Sequence, residues 1–253
     1  VSIYNSTLNI KKSNQYYASF LIANGLTIGV FSSLDAILFY IFFEALLIPM
    51  FLIIGIWGGV DRVYASIKFF IYTFFGSVLL LIALIYINSQ ISSFSVLSFY
   101  DSKFSIKEQE WLFIAMAIAF AIKIPMFPFH TWLPDAHVQA PTSGSVVLAA
   151  ILLKVGAYGF IRYVLPVVPI GAMSFNVYFI ILSLVAIAYV GIVAISQNDM
   201  KKLIAYSSIS HMGFVTLGFF IIFNLFNNSL NNGDIIISLS GSMYQIISHG
   251  FIS

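Results

Sequence analysis

The chain has no cysteine in 253 residues, which excludes disulfides, thiolate metal sites and iron–sulfur ligation within it. Charge is also scarce. Only 8% of residues are Asp, Glu, Lys or Arg, against about 25% in an ordinary soluble domain. The net charge is +2, and no basic block is long enough to hold nucleic acid. Gly-rich phosphate loops and the dinucleotide fingerprint are missing, so no nucleotide site is expected. The spacing of His130 and His137 does not match a zinc pattern, and no redox cofactor ligation is supported. What remains is apolar: 60% hydrophobic residues and a mean hydropathy of +1.01. These numbers describe an all-α polytopic membrane protein, with the lipid bilayer as its surroundings. Phe, Tyr, Ile and Asn are plentiful; their codons are AT-rich, which points to an AT-rich genome such as an organellar one.

A spanning helix needs about 20 mostly apolar residues. Eight candidate runs fit: 16–33, 35–57, 64–87, 111–129, 142–164, 172–195, 203–226 and 235–253. The first is interrupted by Asn24, Gly25 and Gly29. The fourth contains Pro125 and Pro128, each of which removes a backbone donor, so this helix is predicted to be discontinuous and to resume as a short piece through His137. Residues 58–62 read as a tight turn, 88–110 as the longest polar connection, 165–171 as a Pro/Gly loop, 196–202 as a short charged loop and 227–234 as an Asn-rich loop. One side of the membrane then carries Lys11, Lys12, Arg62, Lys201 and Lys202, and the other Lys103, Lys107 and Arg162. The first side is expected to face the matrix or cytoplasm. The chain opens on Val1 and ends at Ser253 inside an apolar run, so it is expected to be an internal piece of a longer chain.

Ionisable groups inside these runs are the candidate functional residues, because a charge at membrane depth is retained when it faces a protein interior or a wet path. Lys123 stands at the predicted break. Glu44 lies mid-run, with Pro49 five residues on to loosen its helix. Lys68 either reaches Glu44 on the preceding helix or snorkels to the interface. Lys154 lies among Gly144, Ser145, Ala149, Ala150 and Gly156, small residues that permit close helix packing. Lys123 and Lys154 are therefore expected to be neighbours. His211 and His249 sit on two further helices, each after a serine; histidine is the natural proton relay near neutral pH. Tyr206, Ser207, Ser208 and Ser210 add hydroxyls. Asp135 is expected to cap or pin the second half of the broken helix, with His130 and His137 flanking the turn; structural support of the break is expected, with a secondary role in the proton path. Lys154 and His211 are expected to face the same internal axis as Lys123, joined by water.

The stretch AFAIKIPMFPFHTWLPDAHVQAPTSGSVVLAAILLKVGAYGFIR resembles the core signature of the antiporter-like subunits of respiratory complex I. FYIFFEALLIPMFLIIGIWGG, RVYASIKFFIYTFFGS, KKLIAYSSISHMGF and ISHGF support it. Within that group the chain is most similar to the subunit 4 branch of NADH dehydrogenase. HVQAPTSGSVV departs from the pattern of subunit 5, and Lys154 stands where subunit 5 tends to have histidine. The shorter strings are shared with subunits 2 and 5 and with multisubunit cation/proton antiporters.

The resemblance implies a proton-translocating membrane-arm subunit that performs no redox chemistry itself. Glu44 and Lys68 would form a charged pair, Lys123 would carry the proton centrally, Lys154 and His211 would continue a lateral hydrophilic axis, and His249 would lead onward. It implies two inverted five-helix repeats: 16–164 as a first half-channel and 172–253 as the start of a second. No cofactor is expected on this chain; NADH, FMN, iron–sulfur clusters and ubiquinone are expected in other subunits, with subunits 2 and 5 as neighbours. The implied location is the mitochondrial inner membrane, or a bacterial plasma membrane. A cation/proton antiporter subunit and a non-pumping structural subunit are the other readings that the residues permit.

Overall fold

The computed structural model describes residues 12–227 and 232–252. Lys11 on the basic side, residues 228–231 of the Asn-rich loop and Ser253 lie outside the described residues. The helices are α1 Ser13–Ser32, α2 Ala36–Ala45, α3 Leu47–Trp57, α4 Arg62–Ile91, the short α5 Val96–Tyr100, α6 Ile106–Lys123, α7 Trp132–Gln139, α8 Thr142–Val167, α9 Pro169–Ile195, α10 Met200–Asn227 and α11 Asn232–Ile252. Among the described residues, six spans, with α2 and α3 counted as one, are long and apolar enough to cross a membrane. The α1 and α6 helices fill two further expected positions but fall short by composition, α1 through its polar interruptions and α6 through Lys107, Glu108, Glu110 and Lys123.

The irregularities have local causes. Leu46 separates α2 from α3, because Pro49 has no N–H to give the carbonyl four residues back. Asp35 caps α2 by accepting from the Ile37 and Leu38 amides at 3.0 Å each. The expected long polar connection after α4 is shorter than predicted, since α4 runs on to Ile91 and α5 buries Val96 and Phe99. The expected Pro/Gly loop near 165–171 shrinks to Val168, with Pro169 taking the first turn of α9, where its missing N–H costs nothing. Lys201 and Lys202 belong to α10 rather than to a loop.

The broken helix lies at the centre. The α6 piece packs against α4, α8 and α9, while α7 packs against α4 and α10, and α11 covers α10. Without a hydrophobic drive between helices in lipid, close packing must hold the bundle together, and small residues allow it. Gly156 of α8 meets the break directly: a Cβ there would stand 2.8 Å from Ile124 Cγ1 and 3.0 Å from Lys123 Cβ. The neighbouring Gly159 lies under the Phe120 ring. Around this contact Phe39, Phe43, Phe69, Phe120, Phe160 and Trp132 are all buried.

Among the described residues, three wide, π-helical turns interrupt the regular helices: Leu148–Leu152 and Phe160–Val164 in α8, and Ala186–Val190 in α9. In each, one carbonyl accepts a side-chain donor: Ala149 from Lys154, Arg162 from Tyr100 and Ile187 from Ser210. Such turns recur at functional positions.

Two outcomes follow for the fold. Gly156→Val is expected to force α8 off α6 and to lower stability by about 1–3 kcal/mol, the usual cost of overpacking, read as the thermal midpoint of the purified protein. At the start of α6, the Ser105 amide donates to Glu108 Oε2 at 2.8 Å and the Glu108 amide to Ser105 Oγ at 3.4 Å, a capping box; the Glu108 carboxyl also accepts from Ser105 Oγ and Tyr86 Oη at 2.6 Å each. The Ser105 bond first, then Tyr86, holds its carboxyl down at about 2 against an ordinary 4.5. A lowered folded value means that this contribution is present in full above the ordinary value and fades as pH falls toward the folded one. Ser105→Ala is expected to move that acid loss of α6 helicity to higher pH, measured by circular dichroism in detergent.

Candidate functional site

Lys123 is the last residue of α6. The negative end of a helix dipole favours a cation there, which is why this sequence can end a helix on a buried lysine. Beyond it the chain turns through 124–131. The Met126 amide donates to Ala121 O at 2.9 Å, and the Trp132 indole donates to Ile122 O at 2.9 Å. The predicted break between Ile124 and His130 is therefore present, and protein donors meet carbonyls that the interrupted helix leaves free.

The Lys123 side chain is 2% exposed. Its Nζ lies 4.5 Å over the Phe43 ring, and the charged neighbour acting on it is Glu44. Lys123 Nζ and Glu44 Oε1 have no hydrogen-bond partner among the described residues. Ser77 and Tyr40 also face the Glu44 carboxyl. The inner station of the site is thus Glu44, Ser77, Phe43 and Lys123, drawn from α2, α4 and α6.

Lys68 is placed differently from expectation. It does not pair with Glu44; its Nζ binds Asp135 Oδ2 at 2.6 Å. The reason is helical geometry. Ser77, the α4 residue that faces Glu44, lies nine positions beyond Lys68, about 13.5 Å along the axis at 1.5 Å per residue. Asp135 accordingly does not cap α7, whose N-cap Thr131 makes no side-chain bond; it pins α7 through Lys68. Further anchors come from Lys201 Nζ to Ala140 O at 2.9 Å and from the Gly59 amide to Gln139 O at 2.8 Å. His137 is buried, with its carbonyl accepting from Ser145, and His130 stacks on Phe127 at 5.5 Å.

Lys154 forms a second station. Its Nζ contacts Ala149 O and His249 Nδ1, each at 2.6 Å. The wide turn at Leu148–Leu152 presents that carbonyl. His249 in turn lies 5.9 Å, ring to ring, from His211, and His211 Nδ1 is 3.3 Å from Gln245 Nε2. The link from Lys154 runs directly to His249, because α11 lies against the wide turn of α8. His211 lies beside His249 and Gln245 of α11, so it adjoins the Lys154–His249 contact rather than Lys123 itself. Lys123 and Lys154 are brought close in backbone, through Gly156, but their ammonium groups point to different partners.

Sequence reasoning missed the Ala149 carbonyl, Gln245, Phe43 and Ser77, and named Glu44 rather than Asp135 as the partner of Lys68. Only Asp135 carried a signal, as a lone carboxylate between apolar runs.

Such a set of buried ionisable groups at a helix break can take up and release protons inside a membrane. The family described as NADH:quinone oxidoreductase/Mrp antiporter, TM, matches residues 33–253, and the chain belongs to it. The chain is 51% identical over 256 residues to NADH-quinone oxidoreductase subunit M of Rickettsia bellii, with 100% of this chain and 49% of that protein covered. It is 48% identical over 239 residues to NADH-ubiquinone oxidoreductase chain 4 of Chondrus crispus, covering 94% of this chain and 46% of that one. Among solved structures, respiratory complex I from Thermus thermophilus with bound NADH contains a similar chain, with a TM-score of 0.78 and 30% identity over 94% of this chain and 51% of that chain. The chain spans about half the length of the relatives it matches.

The Lys154 contacts make an asymmetric expectation. His249→Ala strands a buried ammonium with Ala149 O and is expected to lower stability by about 1–3 kcal/mol. Lys154→Met in the same background is expected to recover most of that loss, because removing both partners leaves no buried donor unpaired. Thermal unfolding of the two variants, side by side, checks the order.

Proposed function

We propose that this chain is a proton-translocating subunit of the membrane arm of NADH:quinone oxidoreductase, of the subunit M or chain 4 type. The observation that carries the reading is Lys123. It is a fully buried lysine at a helix end, with Glu44 as its charged neighbour and a second buried lysine, Lys154, two residues from the shared backbone contact. In this reading Glu44, Lys123, Lys154, His249 and His211 move protons, and Lys68 acts with Asp135 rather than with Glu44.

The chemistry is electrostatic. A carboxylate near a buried amine favours its charged form, and withdrawing that influence favours proton release. Quinone reduction elsewhere in the complex supplies the drive; NADH, FMN, iron–sulfur clusters and ubiquinone belong to other subunits. Subunits of the 2 and 5 types are the neighbours in the membrane arm. Residues 16–164 form the first half-channel repeat, and 172–253 begin the second. The setting is an energy-transducing membrane: the mitochondrial inner membrane or a bacterial plasma membrane.

The family description also names antiporters, so a cation/proton antiporter subunit is the competing reading. Purification separates the two, since the oxidoreductase brings flavin and iron–sulfur proteins with it. In the assembled complex, Lys123→Met is expected to abolish most proton pumping and coupled quinone reduction while assembly survives. Glu44→Gln is expected to impair both more than Glu44→Asp, which keeps the charge. Pumping measured in sealed vesicles decides; a parental rate in assembled Lys123→Met would remove the reading.

A further inference from the structure

The Lys68–Asp135 pair stands apart from the buried stations. Its side chains are 25% and 36% exposed. Asp135 lines a polar cavity of about 210 Å³ with Asp61, Tyr64, Gln139 and Lys202, at the end of the bundle that carries Arg62. Its distance from the inner station, about 13.5 Å along α4, is longer than a lysine side chain reaches.

An aromatic contact lies in the interval. Phe69, next to Lys68, is 0% exposed, and its ring centroid lies 5.3 Å from that of Trp132. Trp132 is one turn before Asp135 on α7, and its indole is bound to the carbonyl of Ile122, the residue before Lys123. The same two aromatic rings therefore touch the neighbourhoods of both stations. Thr73, one turn further along α4, turns its hydroxyl back onto Phe69 O at 2.7 Å, so the hydroxyl is spent on its own helix.

We propose that Asp135 is the proton-uptake group of this chain, held at the mouth by Lys68, and that the Phe69–Trp132 contact is the septum between uptake and Lys123. This rests on the proton-translocating reading. A proton from the aqueous cavity binds an Asp135 carboxylate oxygen, and the ion pair with Lys68 opens. The proton then passes the septum to the neutral amine of Lys123, and the re-ionised carboxylate takes back the Lys68 ammonium. Asp135 contacts the proton itself; Lys68 is a positioning residue.

The test uses the assembled complex in sealed vesicles. Asp135→Asn is expected to slow proton pumping by about fivefold or more, the lower range of an energetic coupling between sites, and Asp135→Glu to recover most of the rate. Phe69→Ala is expected to raise the passive proton leak of resting vesicles. Because these 253 residues hold no cysteine, Asp135→Cys places one thiol within them, read as labelling of the peptide that contains position 135 against the parent complex. A membrane-impermeant thiol reagent is expected to label it from the side of Arg62 and Lys202 and not from the other. Parental pumping in assembled Asp135→Asn, alongside a dead Lys123→Met, overturns the uptake assignment and leaves the general reading in place. Parental pumping in both overturns the two together. If Asp135→Asn does not assemble, the thiol decides: no labelling from the Arg62 side, or labelling from the opposite side only, overturns the proposal.

Discussion

A positive charge cannot be left alone in an apolar bundle, and the placement of one such charge organises this one. Lys123 ends α6, so it inherits the negative end of that helix. The Phe43 ring lies under its ammonium and Glu44 stands nearby. To end a helix mid-bundle, the chain must satisfy the carbonyls it leaves behind, and Trp132 and Met126 do so with N–H donors from the turn itself. To bring other elements close enough, α8 presents Gly156 and Gly159 to the break. The break, the glycines and the aromatic shell are parts of one solution to one electrostatic problem.

The second lysine is handled by a different device. Lys154 is not at a helix end, so no dipole terminus is available to it. The helix instead widens by a turn at Leu148–Leu152 and offers the Ala149 carbonyl, while His249 approaches from α11. His249 can accept a hydrogen bond from a charged lysine at Nδ1 or donate one to a neutral lysine, according to its tautomer. The geometry therefore tolerates the proton on either partner. The two buried lysines are thus held differently: Lys154 by a backbone carbonyl and a histidine, Lys123 by an aromatic face, a nearby carboxyl and the end of its own helix.

Much of this was legible in the sequence. The runs of apolar residues had to be about one bilayer long, so the number and order of helices could be counted. The prolines after Lys123 and at position 49 announced two interruptions, because a missing N–H is a local fact. Side-chain partners were less legible. Which residue faces Lys68 depends on the rotational phase of α4 relative to α2 and α7, and that phase is set by packing across 67 residues of separation. The wide turns were not readable at all. A π-helical turn differs from its neighbours by one displaced hydrogen bond, and LAAIL is an ordinary helical string. His211 was read from SHMGF as a relay on the Lys123 axis, and its rotational position on α10 sets it beside His249 and Gln245 instead.

The contact of Gly156 with Ile124 and Lys123 has a mechanical meaning. Where two helices touch through backbone, their relative position has little slack, because no side-chain torsion lies between them to absorb a shift. Lys123 lies at that contact and Lys154 is two residues from it, on the opposing helix. The spacing between the two amine-bearing segments thus behaves as a rigid gauge length, while the directions of the two amines remain adjustable. A sliding of α8 by one residue, about 1.5 Å, would carry both lysine attachments with it as a meshed gear carries its neighbour.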